Sequence, residues 1–384
     1  MRVFLSRTLV LVYLASLGTA TSFYALLTVV PIHAMASAGE VGAGLATGAL
    51  MLSTVAAEVA APGLIARFGY RGVFAAGAVL LGLPALALTL SPSLAVILAV
   101  CLVRGLGFGL VVVVGSALVA TLVPAERRGE GLGVYGIVIG VPSIVALPLG
   151  VWLADRIGYD AVFVAGALSA LVGLAVPGAS AARGARSVSR ARSVPSAVWS
   201  GALIRPAIVF STTAMACGIV VTFLPAVSGM VEVALLVQAF TATAARWLAG
   251  RLGDRYGAAR QLVPGALLSA AGIAALIVAG SPVAALVGMV LFGTGFGIAQ
   301  NASLTAMYQR APVSSYGTVS AAWNFAYDAG IGAGAAGFGV LAAHTGFPFG
   351  FGITAAVMLL VTVLVRLRTG KAELSRPLSP APQS

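Results

Sequence analysis

Charge is what this sequence has least of. Only 8% of its 384 residues are Asp, Glu, Lys or Arg, whereas soluble domains contain about a quarter. Hydrophobic residues make up 60% of the chain, and apolar runs of roughly 20 residues, long enough to cross a bilayer, follow one another with little polar sequence between them. This composition excludes a soluble enzyme and leaves no room for a large extramembrane domain, so the function is expected inside the membrane.

Cysteine and histidine are scarce as well. Cys101 and Cys217 lie in separate apolar runs, and His33 and His344 are far apart. None has a second ligand at the spacing of a metal site, so we expect no metal and interpret the cysteines as small packing residues. A Walker-type phosphate loop is lacking, and the glycine-rich runs have no preceding strand. We therefore expect no nucleotide and no other cofactor.

The net charge of +12 comes from arginines that cluster in alternate loops. The intervening loops are nearly free of basic residues, which is the pattern of the positive-inside rule. This alternation places both termini and the long middle loop in the cytoplasm. The positive charge is thus a signal of membrane topology, and nucleic acid is not expected as a partner.

Clusters of Gly, Pro and charge divide the chain into about twelve apolar spans. They predict an all-α membrane protein with twelve transmembrane helices in two six-helix bundles. The predicted units are an N-terminal bundle, a Ser/Arg/Ala-rich cytoplasmic linker, a C-terminal bundle and a cytoplasmic tail, at residues 1–177, 178–204, 205–368 and 369–384.

An internal repeat supports the two bundles. A shift of 188 positions superimposes glycines of loops and helices alike. The matched pairs include Gly69 with Gly257, Gly105 with Gly293, Gly107 with Gly295, Gly109 with Gly297 and Gly158 with Gly346. Parallel six-helix repeats around a central cavity are the architecture of one large transporter class.

The loop after the eighth span carries the most specific motif. Its sequence, GRLGDRYG from Gly250 through Asp254 and Arg255 to Gly257, resembles the signature cytoplasmic loop of the major facilitator superfamily at every signature position. The equivalent loop of the first half is a weaker copy, with Pro62 in place of the first glycine. The resemblance covers nearly the whole chain and implies pseudo-symmetric bundles that work by alternating access.

Three further motifs resemble motifs of that superfamily, two of them from an exporter branch. The fifth span, GVYGIVIGVPSIVALPLGVWL, resembles the glycine/proline motif of drug/proton antiporters, although Pro148 is displaced by one position and one glycine is missing. The Tyr-Asp-small-Gly run of the eleventh span resembles a bacterial efflux branch, and Arg104 resembles the arginine of the fourth-helix motif. These similarities imply proton-coupled export and carry no substrate with them.

Asp328 stands near the middle of the eleventh span, at a depth of about 15 Å. An ionised carboxylate there costs about 2.5 to 3.5 kcal/mol, so it must pair, take up a proton or face water. Our hypothesis is that Asp328 alternates between protonated and ionised forms; a permanent ion pair or a packing hydrogen bond is the alternative. Glu58 in the second span is the other deep acid, and the resemblance implies that both share one aqueous path. A gate contact is the alternative for Glu58.

The deep cations suggest two roles. Arg104 cannot lose its charge, so it needs carbonyl groups or an anion; pairing with Glu58 or Asp328 is favoured over an anionic substrate group. Arg246 precedes the signature loop and is interpreted as a cytoplasmic gate residue together with Gly250, Asp254, Arg255 and Gly257. Under the repeat shift Glu58 aligns with Arg246, Asp328 with Gly140 and Arg104 with Phe292, so each deep charge belongs to one half only.

Few polar side chains remain to line a cavity. The candidates, for which helix packing is the alternative, are Tyr24, Gln238, Gln300, Asn301, Trp323 and Asn324. A mostly apolar pocket with few polar groups favours an amphipathic or hydrophobic ligand over a sugar.

The sequence thus predicts a secondary transporter that exports a small amphipathic or hydrophobic molecule in exchange for protons. Proton-coupled uptake of a metabolite and a non-transporting membrane sensor or assembly factor are the alternatives. The excess of Arg over Lys is typical of a GC-rich bacterial genome and indicates a bacterial plasma membrane. The expected partners are the substrate, protons and membrane lipid, with the chain acting as a monomer.

Overall fold

The computed structural model describes residues 6–124, 128–175, 201–312 and 315–374. Side chains at 128–133, 201–202, 254, 256, 317 and 368–374 are not described. In these ranges all regular structure is helical, as the long apolar runs predict. The predicted linker 178–204 and tail 369–384 fall largely outside the described residues.

The first helix, α1 (Arg7–Gly82), is folded back on itself at two breaks. Ala38 and Gly39 leave helical geometry, and Gly69 does so again with a φ of +73°. A straight helix of its 76 residues would be about 114 Å long, far more than the roughly 30 Å of a bilayer core. The breaks therefore divide α1 into three membrane-crossing segments, residues 7–37, 40–68 and 70–82.

Nine further helices follow. They are α2 (Leu94–Leu122), α3 (Arg128–Ile157), α4 (Tyr159–Leu171), α5 (Gly201–Val227), α6 (Val231–Tyr256), α7 (Leu262–Ala275), α8 (Pro282–Tyr308), α9 (Tyr316–Thr345) and α10 (Phe347–Leu374). Short 3-10 turns extend α1, α4 and α7. With the three segments of α1 these helices make twelve crossings among the described residues, as predicted: six from α1 to α4 and six from α5 to α10.

The predicted repeat is visible in the backbone. Gly69 and Gly257 both adopt left-handed φ angles, +73° and +89°, and so do Gly158 and Gly346, at +91° and +79°. Only glycine enters this region without strain, and each of these residues lies at a helix end or break. The 188-residue shift therefore relates equivalent turns of two similar halves.

Close helix contacts also recur at the 188-residue shift. Gly105 of α2 lies against the backbone carbonyl of Leu50, and Gly293 of α8 lies against that of Gln238; Leu50 and Gln238 are themselves 188 positions apart. A side chain at either glycine would collide with that carbonyl, so the small residue is what allows the close approach. The same relation holds for Gly107 with Gly77 and Gly295 with Gly265, and for Gly109 with Thr54 and Gly297 with Ala242.

The helix ends define two sides of the molecule. We call the side with exposed Arg67, Arg71, Arg251, Arg260 and Arg310 the arginine-rich face, and the other side the opposite face. The described ends at the opposite face include the α1 break at Gly39 and the helix boundaries at Gly158 and Gly346.

The two halves meet along a seam between the second segment of α1 and helix α9. Gly44 lies directly against the backbone carbonyl of Ala335. A hydrogen bond of 2.9 Å joins the hydroxyl groups of Thr47 and Thr222, both buried, and links α1 to α5. These contacts lie in the part of the seam nearer the opposite face, so the interior is closed on that side.

Candidate functional site

The two deep acids meet at the seam. Asp328 of α9 is only 6% exposed, and Glu58 of the second segment of α1 is half-buried. Their carboxyl groups lie within hydrogen-bonding range of each other. Ionised carboxylates accept hydrogen bonds but donate none, so a hydrogen bond between them forms only when one of the two groups carries a proton.

The glycine-rich part of α9 explains how Asp328 reaches this position. Just after Asp328, Gly330 lies against the backbone carbonyl of Ser211 in α5, and Gly332 lies against the side chain of Met51 in α1. Without side chains at these glycines, α9 packs closely on a helix of its own half and on one of the other half. The acid is thus held where both halves meet.

Arg104 does not pair with either acid in this structure. Its side chain is 2% exposed and donates two hydrogen bonds to backbone carbonyls, at 2.8 Å to Leu81 and at 3.3 Å to Ser22. A void beside it, also bordered by Thr47 and Cys101, measures about 10 Å³, room for one water molecule at most. The expected ion pair between Arg104 and a carboxylate is therefore wrong here, because carbonyl oxygens satisfy the guanidinium and no substrate group fits beside it.

Arg246 of α6 takes a more central position than its place before a helix end suggests. Its guanidinium lies within electrostatic range of the phenol groups of Tyr24 in α1 and Tyr327 in α9, which belong to different halves. The side chain is nevertheless exposed. An open space between the halves must therefore reach Arg246, so the interior is accessible from the arginine-rich face.

An aromatic cluster packs inside the second half near Asp328. The ring of Trp323 stacks on Phe210 at 4.6 Å and 9°, and Tyr327 lies nearly parallel to both, at 5.9 Å from Trp323 and 5.7 Å from Phe210. The indole N–H of Trp323 donates to the hydroxyl of Ser303 at 2.9 Å, which holds the ring in place. Phe210 and Ser303 were not predicted from the sequence, because their partners belong to a different helix and no local spacing connects them.

The other predicted cavity residues differ in burial and in the helices that they contact. Gln238 is 6% exposed and lies where α8 packs on α6. The side-chain amide of Asn301 lies beside Gly250, between the same two helices. Gln300 and Asn324 are half-buried. Gln238 and Asn301 thus lie at helix-packing contacts, the alternative considered for both.

The signature loop closes α6 at the arginine-rich face. Gly257 ends the helix with a φ of +89°, and its backbone N–H donates to the carbonyl of Gly253 at 2.9 Å. Arg255 is exposed. The side chain of Asp254 lies outside the described residues, so its predicted gate contact stays a prediction.

The sequence as a whole matches the profile of the Major Facilitator Superfamily over residues 12–335, which is most of the chain. The protein belongs to the Major Facilitator Superfamily. No curated protein matches the sequence significantly.

Solved structures of this superfamily share the fold. The nucleoside transporter NupG superposes with a TM-score of 0.75 at 12% identity, covering 94% of this chain and 99% of its own. A POT family transporter in complex with 5-aminolevulinic acid gives 0.78 at 12% identity, covering 95% and 96%. The inward open xylose transporter XylE from E. coli gives 0.73 at 16% identity, covering 92% and 94%.

Identities this low carry the fold alone, and the substrates of those proteins do not transfer. The superfamily membership and the two-bundle fold nevertheless agree on the class. The protein is a multi-pass membrane transporter of the secondary type and not an enzyme.

Proposed function

We propose that the protein exports a small amphipathic or hydrophobic organic molecule in exchange for protons, by alternating access. The observation that carries the proposal is the contact between the carboxyl groups of Glu58 and Asp328, which lie within hydrogen-bonding range. The contact joins the two halves, and a hydrogen bond forms there only while one carboxyl group is protonated. Proton binding and the relative position of the halves are therefore coupled at a single contact.

The repulsion between the two carboxylates after loss of a proton is large enough to support this role. Two ionised carboxylates about 4 Å apart repel each other by about 4 kcal/mol at an effective dielectric constant near 20. Conformational states of a protein commonly differ by only a few kcal/mol. Loss of the shared proton is thus sufficient to drive the seam apart at Glu58 and Asp328 and to favour the alternative facing of the cavity.

The two faces supply the gates in this mechanism. The contacts around Gly44 and Thr47 close the opposite face in the present state. In the alternative state the seam opens there, and the signature loop with Arg246, Gly250, Asp254, Arg255 and Gly257 closes the arginine-rich face. We assign the arginine-rich face to the cytoplasm, as the positive-inside rule requires, with both termini on that side.

The export direction rests on the resemblance of α3 and α9 to antiporter motifs. We place the protein as a monomer, surrounded by lipid, in a bacterial plasma membrane, where an inward proton gradient drives an antiporter outward. The scarcity of polar side chains in the interior and the half-buried ring of Tyr327, which stacks on the buried Trp323, support an amphipathic or hydrophobic substrate.

Everted membrane vesicles test the proposal. With an acid interior established, an exported compound from a broad amphipathic panel should accumulate inside and release protons to the outside medium. The Asp328→Asn variant should fold and bind the compound yet lose gradient-driven accumulation. Accumulation only in right-side-out vesicles would instead establish uptake, and substrate flux unchanged by Asp328→Asn would exclude the proton role. No compound-dependent proton flux at all would favour the non-transporting alternative.

A further inference from the structure

Arg246 has no anionic partner among the residues that the structure describes. It forms no salt bridge with them, and its guanidinium donates no hydrogen bond to them. Arginine keeps its charge, and the exposed guanidinium of Arg246 is accessible to an anionic group that enters the space between the halves. Arg104, by contrast, is satisfied by the carbonyls of Leu81 and Ser22.

The internal repeat shows where such an anion belongs. Arg246 is the counterpart of Glu58 under the 188-residue shift, and Gly140 is the counterpart of Asp328. Two carboxyl groups meet where the second segment of α1 packs on α9. In the equivalent helix pair, α6 and α3, which also pack together, Arg246 takes the place of Glu58 and Gly140 takes the place of Asp328. A side chain at Gly140 would meet no atom within 4 Å. The symmetric site thus has a cation and free space, but no carboxylate at the position equivalent to Asp328.

The surroundings of Arg246 suit an organic anion. The phenol groups of Tyr24 and Tyr327 lie in electrostatic range of Arg246 and also of Asp328, and phenols donate hydrogen bonds to anionic oxygens. Tyr327 continues into the flat cluster with Trp323 and Phe210. The Arg246 guanidinium and the half-buried ring of Tyr327 therefore lie near each other and near Asp328.

We propose that Arg246 binds the anionic group of the transported molecule, a carboxylate or a similar oxyanion, while the apolar part of that molecule lies against Tyr327 at the edge of the aromatic cluster. The inference rests on the proposed transport function and deepens it: the substrate class is an amphipathic, aromatic organic anion. Arg246 is then a substrate-binding residue that also lies near the gate.

Equilibrium binding to the purified full-length protein tests this without any gradient. The probes are 2-naphthoate, its neutral analogue 2-naphthamide, and the cation 2-naphthylmethylammonium, which share one ring system and differ in charge. A charge-assisted hydrogen bond corresponds to about tenfold or more in affinity. We expect the carboxylate to bind at least about tenfold more tightly than the amide, and the cation to bind most weakly. Equal binding of all three, preference for the cation, or no binding of any probe at millimolar concentration overturns the proposal.

Matched variants locate the effect. Arg246→Gln should abolish the preference for the carboxylate, Arg246→Lys should retain part of it, and Arg251→Gln, on the same helix but stacked on Trp247, should leave it unchanged. Gly140→Asp should supply an internal counter-ion and weaken carboxylate binding by about tenfold, whereas Gly140→Ala adds the same Cβ without the charge and should not. A preference that survives both Arg246→Gln and Gly140→Asp contradicts the assignment.

The binding experiment also separates occupation of the site by lipid, and failure of the proposed transport function, from failure of the inferred substrate class. Measurement in phosphatidylcholine nanodiscs, and again with phosphatidylglycerol, tests whether lipid headgroups occupy the site; competition by the anionic lipid would overturn a substrate role. Loss of proton coupling in Asp328→Asn with intact carboxylate preference would support this inference independently. Intact proton coupling with no carboxylate preference would leave the transport function and remove the inferred substrate class.

Discussion

The carboxyl groups of Glu58 and Asp328 come within hydrogen-bonding range of each other across the seam between the two halves, and no arginine among the described side chains forms a salt bridge with either. Arg104, the cation expected there, is held by the carbonyls of Leu81 and Ser22. Under the proposed function the two acids share a proton instead of pairing with Arg104. That arrangement makes the seam sensitive to protonation, and it leads to the following predictions.

Glu58→Gln should uncouple transport from the pH gradient. The carboxamide still donates a hydrogen bond to Asp328 but has no titratable proton, so the contact between the halves no longer depends on pH. In proteoliposomes, with a compound identified by the vesicle assay, we expect gradient-driven transport to fall at least about tenfold while gradient-free exchange persists. Glu40→Gln, at the other end of the same segment, is the control. Unchanged gradient-driven transport in Glu58→Gln would show that this acid is only a packing residue.

Arg104→Lys should lower stability more than it lowers ligand affinity. Lysine cannot donate from two well-separated nitrogens to Leu81 and Ser22, so one buried carbonyl loses its charged donor. We expect a loss of about 1.5 to 3 kcal/mol in the free energy of unfolding, measured by thermal denaturation in detergent. Arg251→Lys, at an exposed position, should change it little. If Arg104→Lys kept full stability and lost ligand binding, Arg104 would be a substrate residue after all.

Gly44→Leu should open the seam at the opposite face. Gly44 lies directly against the carbonyl of Ala335, so a leucine side chain prevents this closure. In a protein lacking Cys101 and Cys217, a cysteine introduced by Thr47→Cys should then react faster with a membrane-impermeant maleimide added at that face. Gly63→Leu, where a side chain meets nothing within 4 Å, serves as control. Equal labelling rates would mean that the seam is not the gate.

Trp323 and Ser303 should show coupled effects on stability. Ser303→Ala leaves the buried indole N–H without its acceptor, at a cost of about 1 to 3 kcal/mol, whereas Trp323→Phe removes both the donor and part of the stack on Phe210. In the Trp323→Phe background the hydrogen bond is already absent, so Ser303→Ala causes no further loss of stability through it. A double-mutant cycle by thermal unfolding should therefore give a coupling of about 1 kcal/mol. Strict additivity would contradict the hydrogen bond.

Particular residues show which features of the structure could be predicted from the sequence. The twelve crossings and the repeat were predictable, because bilayer thickness sets the length of each apolar run and because glycines such as Gly105 and Gly293 recur at one offset. The left-handed turns at Gly69 and Gly257 follow from the same offset, since only glycine tolerates that backbone. Asp328 and Glu58 stood out as candidates because charge in an apolar run is costly.

The partners of the deep charges could not be predicted. The sequence favoured a carboxylate for Arg104, but a guanidinium can be satisfied equally well by carbonyl oxygens at a place where helices cross, and such places leave no sequence pattern. The aromatic cluster around Phe210 has the same origin: its rings come from α5 and α9, and only packing brings them together.

The sequence by itself determined the membrane class, the number of crossings, the duplicated halves and the identity of the charged residues, because these depend on local hydrophobicity and on repeated small residues. Tertiary structure alone decided that Glu58 and Asp328 approach each other across the seam, that carbonyl oxygens hold the Arg104 guanidinium, and that Arg246 is exposed within electrostatic range of Tyr24 and Tyr327. Those outcomes depend on which helix faces meet, and the uniformly apolar sequence of a membrane helix does not encode its neighbours.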